Sequence, residues 1–249
     1  MCDKVKVLDQ ADRNLQALKA NRYPGRGLIV GLSQGGLYLV QVYWIMGRSA
    51  SSRNRIFISD DPTSLRTVPI DVAKIENPGL LIYRAMAEFD KLYVVSNGDQ
   101  TETVISTDKK GMFFEQGMRC RDYEPDAPNY TPRITAIFSR KLGYPAAEIL
   151  VLKKSEFGIG CDRFLYRYEE FHPGLGRCVT TYSGDGDPLP SFCGEPYLLP
   201  LHGDIDEVAR TIWSALDTAN RVALAVKFID KEGKEPSVIK IINAYRAVA

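Results

Sequence analysis

The sequence predicts an α+β fold of antiparallel sheets with few helices. Three observations lead there. Strand-like segments outnumber helical ones, and they follow one another through short turns, as hairpins do. Strand and helix never alternate in the rhythm of a parallel, doubly wound sheet.

In chain order, residues 4–20 place Val5, Leu8, Ala11, Leu15 and Leu18 at three- and four-residue steps, the stripe of an amphipathic helix. Residues 23–27 form a turn into a strand at 28–30. A second turn at 33–36 leads to a strand at 37–46, so these two strands pair as a hairpin. The glycines between them are not a phosphate loop, because no Gly-Lys-Ser/Thr ending follows and a strand comes next. Residues 55–59 read as a short strand and 60–77 as polar loop. Strands are expected at 80–84 and 91–95, and a helix near Asp99 or Thr101 after the Asn97-Gly98 turn. A helical piece covers 110–120. Further strands fall at 134–138, 149–153, 163–171 and 177–182, followed by a Gly/Asp/Pro turn at 183–188. Its aspartates lack the spacing and closing glutamate of a calcium loop. Residues 205–216 form a helix with Ile205, Val208, Ala209, Ile212, Trp213 and Leu216 on one face. Asp204, Asp206 and Glu207 suit its N-terminal dipole. Strands at 222–229 and 236–244 close the chain as a hairpin around 231–234. No repeat or linker divides it, so residues 1–22 are read as a helical extension and 23–249 as one domain.

Composition narrows the function. The net charge of +1 provides no basic field for nucleic acid. No apolar stretch approaches the roughly 20 residues that span a bilayer. The N-terminus lacks a signal-peptide pattern, so a cytoplasmic protein without membrane partners is expected. The five cysteines have no zinc-knuckle spacing, so they read as reduced thiols rather than metal ligands. With only His172 and His202 present, a histidine metal cluster is not expected.

Two stretches hold concentrated polar chemistry. Residues 119–136 contain Arg119, Arg121 and Arg133, Asp122, Glu124 and Asp126, Tyr123 and Tyr130, Asn129 and Thr131. Pro125, Pro128 and Pro132 exclude a regular helix and stiffen a loop that enters the strand at 134–138. Such a loop can hold side chains at a site; a solvated connection is the bland alternative. Residues 47–55 place Arg48, Arg53 and Arg55 among Ser49, Ser51 and Ser52 at a strand end. Guanidinium forks and hydroxyls together suit a phosphate, against the alternative of a charged surface loop.

Four segments taken together resemble the archaeal-type inosine monophosphate (IMP) cyclohydrolase family. They are Tyr23 to Arg26; Arg48 and Ser49 with 52–55; Ser96 to Glu102; and Asp122 to Ala136. The chain departs from that pattern at Gly47, where the family has serine, at Gln100, where it has histidine, and in the helix ahead of residue 23. The resemblance implies an αββα sandwich like that of N-terminal nucleophile hydrolases, without their nucleophile. It implies closure of a formamidoimidazole carboxamide ribonucleotide to IMP with loss of water, and a purine ribonucleotide as the small-molecule partner. It implies Arg48, Tyr83 and Glu124 as catalytic residues. Arg26, Ser49, Arg53, Asn54, Arg55, Asn97, Gly98, Thr101, Tyr123, Asn129, Thr131 and Arg133 are the expected substrate contacts. Ring closure asks for a phosphate anchor, a proton acceptor and a proton donor, with no cofactor or metal. Self-association into a homo-oligomer stays open. Two other readings stand beside this one: a protein that binds a purine nucleotide without catalysis, and an amide hydrolase using Cys2 as an N-terminal nucleophile.

Overall fold

The computed structural model describes residues 2–74, 78–141 and 146–246. It is α+β, with two antiparallel sheets and few helices. In chain-order numbering, the first sheet runs β11 (Tyr197–Pro200), β10 (Leu175–Thr180), β1 (Gly27–Leu32), β2 (Tyr38–Met46), β12 (Arg221–Asp230) and β13 (Val238–Asn243). The second runs β3 (Arg55–Asp61), β4 (Ser64–Pro69), β5 (Arg84–Phe89), β6 (Leu92–Ser96), β7 (Arg133–Ser139), β8 (Ala146–Lys154) and β9 (Cys161–Tyr168). The predicted hairpin of β1 and β2 is present, in register from Gly27 opposite Trp44 to Leu32 opposite Leu39.

Side-chain alternation splits each central strand between two cores. From β2, Leu39, Tyr43 and Ile45 point between the sheets, while Val40, Val42, Trp44 and Met46 point outward. β7 sends Ile134, Ala136 and Phe138 inward and Ile137 outward. Both faces of these strands are covered, which is why they read as continuous apolar runs. The outer face of the first sheet carries α1 (Cys2–Ala20) and α6 (Ile205–Ala215), through Leu15, Leu18, Val208 and Ile212. The second carries α4 (Gln100–Lys109) and α5 (Phe114–Met118), through Val104, Phe114 and Met118. The layers therefore run helix, sheet, sheet, helix. The acidic start predicted for α6 is a capping box: Glu207 N–H donates to Asp204 at 2.8 Å, and Asp204 N–H to Glu207 at 2.9 Å.

Two local readings are corrected. The stretch 60–77, expected as loop, contains β4, whose inward residues are only Leu65 and Thr67; residues 75–77 of that expectation lie outside the described residues. The strand expected at 80–84 is instead the short helix α3 (Pro78–Leu81) followed by β5; the apolar Leu80 and Leu81 line a cleft rather than a sheet. A short helix α2 (Ala50–Arg53) also forms inside 47–55. Cys2 opens α1, and β1 starts only at Gly27, so a helix separates the Cys2 backbone from the first strand; its side chain lies outside the described residues. Among the described residues no helix is long and apolar enough to cross a membrane.

One charge ties the sheets together. Lys227 of β12 is fully buried, its Nζ 2.7 Å from Glu88 of β5 and donating to the Thr63 carbonyl at 3.2 Å. Burial lowers the Lys227 pKa, and Glu88 works against that shift. Glu88→Gln should therefore destabilise the protein by about 3 kcal/mol in urea unfolding. That is the low end for breaking a buried pair, because Glu88 is partly exposed. Combining it with Lys227→Met should restore most of the loss.

Candidate active site

A cleft of about 390 Å³ opens at one end of the space between the sheets. Besides Leu80 and Leu81 of α3, five parts of the chain build it. The turn before β1 supplies Tyr23 and Arg26; the end of β2 and α2 supply Arg48 and the serines; β3 begins with Arg55. The loop entering β7 supplies Glu124, Asp126, Asn129 and Thr131, and the loop after β10 supplies Tyr182. Close approach fixes Gly25, at φ +71°, where a Cβ would run into Thr181 and Tyr182. Tyr130, at φ 44°, holds a left-handed conformation between Asn129 and Thr131 and turns both toward the cleft wall.

At the deep end Arg26 Nη2 donates to Glu124 Oε2 at 2.7 Å, with both side chains at most a tenth exposed. Arg26 Nη1 donates to the Asn97 carbonyl at 3.3 Å, and Glu124 N–H donates to the Thr131 carbonyl at 2.9 Å. Among the described residues nothing hydrogen-bonds the other carboxylate oxygen, Glu124 Oε1. Burial raises the Glu124 pKa above its usual value, against the pull of Arg26. Burial is the largest effect on the Arg26 cation and works against it, but Glu124 together with Tyr83 and Tyr43 outweighs it, and Arg26 stays charged. Two opposing effects thus act on the Glu124 acid, with burial the larger.

At the other end Arg55 is buried; its Nε donates to the Ser52 carbonyl at 3.0 Å. Its Nη1 has no hydrogen-bond partner among the described residues. Arg48 lies over the Tyr23 ring, 4.8 Å from its centroid, and donates to Asp185 at 2.6 Å and to the Gly186 carbonyl at 3.1 Å. This ion pair is about two-fifths exposed and holds Arg48 only weakly. Ser49 and Ser52 cap each other across α2 and line the cleft beside Ser51. Two atoms without a hydrogen-bond partner among the described residues, Glu124 Oε1 and Arg55 Nη1, thus belong to oppositely charged residues of one cleft.

Of the residues expected from sequence, the cleft brings together Arg26, Arg48, Ser49, Arg55, Glu124, Asn129 and Thr131. The others hold the scaffold. Tyr83 is buried in the inter-sheet core with its hydroxyl 2.6 Å from that of Tyr43. Arg53 donates to the Gly47 carbonyl at 2.8 Å and to Asn220 at 3.3 Å. The Asn54 amide ties the backbone of Asp71, donating at 2.7 Å and accepting at 2.8 Å. Asn97 donates to the Pro132 carbonyl at 2.9 Å and accepts from Ile134 N–H and the Gln100 amide, each at 2.8 Å. Gly98 faces Arg133, whose Nη1 a Cβ would meet at 2.6 Å. Arg133 is spent on Asp99 and Gln100, both at 2.8 Å. Thr101 bonds Ser96 at 2.6 Å, and Tyr123 donates to the Ile159 carbonyl at 3.0 Å. Gln100, the departure from histidine, thus belongs to the clamp under the loop.

Sequence reasoning passed over Tyr23, Asp126 and Tyr182 as site residues. Tyr23 and Asp126 stood inside segments already singled out. Tyr182 ended an ordinary strand and carried no local signal.

A cleft that gathers Arg48 and Arg55 on one part of its wall and the buried Arg26–Glu124 pair on another suits an anionic small molecule. The chain belongs to the family described as IMP cyclohydrolase-like protein, whose signature matches residues 23–234. It is similar to a protein named IMP cyclohydrolase from Methanocaldococcus jannaschii, 26% identical over 217 residues, covering 85% of this chain and 96% of the relative. It is also similar to one of the same name from Methanocella arvoryzae, 28% identical over 126 residues. That match covers 49% of this chain and 60% of the relative, less than two thirds of its length.

The Asn97 geometry predicts a stability defect. Asn97→Ala should lower unfolding free energy by about 2–4 kcal/mol in urea, since it strips buried hydrogen bonds and orphans their partners. Unchanged stability with a large rise in KM would place Asn97 on the substrate instead.

Proposed function

We propose that the protein is an IMP cyclohydrolase, closing 5-formamidoimidazole-4-carboxamide ribonucleotide to IMP with loss of water. The observation that carries this reading is the pairing, in one cleft, of a buried carboxylate oxygen with a buried guanidinium nitrogen, both unpartnered among the described residues. The family and the names of the two relatives support the choice of reaction. The layer order supports an αββα sandwich of the N-terminal nucleophile hydrolase type, used without the nucleophile. The helix between Cys2 and β1 argues against Cys2 as that nucleophile.

Arg55 and Arg48, with the α2 serines, take the 5′-phosphate; Arg48 exchanges its weak hold on Asp185 for the dianion. The ring carboxamide then lies toward Glu124. Its nitrogen attacks the formyl carbon, a C–N bond forms, and the formyl oxygen becomes a hydroxyl. Glu124 accepts the proton lost by nitrogen. The formyl oxygen takes up that proton to become the hydroxyl; as its C–O bond breaks, the formamido nitrogen gives up its own N–H proton to the departing oxygen and a ring C=N bond forms, so the two N–H protons leave with that oxygen as one water and no oxidation state changes. Arg26 keeps Glu124 oriented and stabilises its charge. Tyr83, bonded to Tyr43 in the core, acts as a positioning residue beneath this pair.

Adding the formamido ribonucleotide to purified protein and following IMP absorbance tests the reading directly; no turnover would refute it. Glu124→Gln should lower kcat by about 10²–10³-fold, the range for a lost general base. Because burial raises the Glu124 pKa, activity should fall at low pH along a limb lying above the ordinary glutamate value of 4.5. That limb should vanish in Glu124→Gln. The stability linkage has the opposite sign: the raised pKa makes the contribution full below the unfolded value and lost as pH rises through the folded one. Arg55→Met should raise KM about 10–100-fold with a smaller change in kcat, as expected for a charged anchor.

A further inference from the structure

The part of the cleft wall formed by Asp126, Thr131 and Tyr182 has a fixed hydrogen-bond direction. Asp126 accepts the backbone N–H of Thr131 at 2.6 Å and, through its other oxygen, the Thr131 hydroxyl proton. A threonine hydroxyl has one proton, and an ionised carboxylate only accepts. Toward its second neighbour, the Tyr182 hydroxyl, Thr131 Oγ1 can therefore only accept. Tyr182 donates inward, and the free side of its oxygen is left as an acceptor in a residue that lines the cleft. Tyr182 is 95% buried, and burial pushes its pKa up to about 12, so it stays a phenol across the working pH range.

Asn129 stands on the same wall with the opposite character. Its Oδ1 accepts the Leu189 N–H at 3.1 Å, which fixes the amide orientation and leaves the NH₂ group as donor. A ligand group that meets both residues must donate and accept. A hydroxyl does both; an amine N–H or a phosphate oxygen does one. The Asp126 charge behind Thr131 also disfavours a phosphate here, since like charges brought together cost binding. With phosphate at Arg55 and the reacting ring at Glu124, the part of a nucleotide that lies between them is the sugar.

Resting on the reading of the site as one for a nucleoside 5′-monophosphate, we propose that Tyr182, aligned by Thr131 and Asp126, accepts a hydrogen bond from a ribose hydroxyl and discriminates against the analogue that lacks that hydroxyl. Asn129 donates to the same hydroxyl. Tyr182 is thereby a specificity residue, apart from the proton-transfer pair.

The test is a cycle between residue and ligand. Calorimetric affinities are measured for IMP, 2′-deoxy-IMP and 3′-deoxy-IMP with the wild type and with Tyr182→Phe. One of the two deoxy forms should bind the wild type about tenfold more weakly than IMP, the scale of one lost hydrogen bond. In Tyr182→Phe that gap should close to within about twofold, because IMP weakens while the deoxy form does not. Thr131→Val, which frees the Tyr182 proton to turn into the cleft, should also narrow the gap and guards against a folding defect in the first variant. A gap that persists in both variants overturns the proposal, as does equal binding of all three ligands by the wild type. If the wild type binds IMP but does not discriminate, only this inference falls; if it binds none of them, the nucleotide reading of the cleft falls with it.

Discussion

The buried ion pair of Arg26 and Glu124 is the constraint on which the site depends. Arg26 stands just ahead of β1 in the first sheet, and Glu124 lies in the loop that enters β7 of the second. Neither charge could be held dry alone, because removing a single partner from a buried pair costs about 3–5 kcal/mol. The two sheets must therefore dock in one alignment for either residue to be tolerated. That docking is also what creates the cleft. Folding and cleft assembly are in this sense one event, and they leave Glu124 Oε1 without a hydrogen-bond partner among the described residues.

Around the pair the polar residues divide by task. Asn97, Gln100, Asp99 and Arg133 bond one another and the backbone entering β7, beneath the 119–132 loop. Arg48, Arg55 and the α2 serines face the cleft with capacity left over. The division follows from satisfaction: a buried amide that already has its partners cannot also bind a ligand, whereas Arg55 Nη1 can. A rigid underlayer of this kind keeps a loop-borne carboxylate within the tolerance that proton transfer requires.

Much of the architecture was legible in the chain. Continuous apolar runs such as 37–46 and 134–138 became central strands because both of their faces are covered. The amphipathic stripes of 4–20 and 205–216 became the helices on the first sheet. β4 was hidden because Ser64–Pro69 offers only Leu65 and Thr67 to the core. Leu80 and Leu81 misled because apolarity marks burial without saying whether in a sheet or against a cleft. In the structure the proline-stiffened loop and the Arg/Ser cluster both contribute residues to the cleft. Their members could not be sorted into ligand-facing and structural, because spacing along an irregular loop carries no periodicity that assigns a side chain to a face.

The sequence by itself determined the α+β class of antiparallel sheets, the two amphipathic helices, the family, and two of the segments that line the cleft. These depend on short-range patterns of hydrophobicity, proline and charge, which any reader of the chain can see. Only the tertiary structure decided that Arg26 belongs to Glu124 rather than to a phosphate, that Asn97 and Arg133 are clamps, and that Tyr182 stands in the wall beside Thr131. Those assignments depend on which atoms lie within about 3 Å of one another, the reach of a hydrogen bond. Residues 26 and 124, or 131 and 182, come that close only when the sheets have closed.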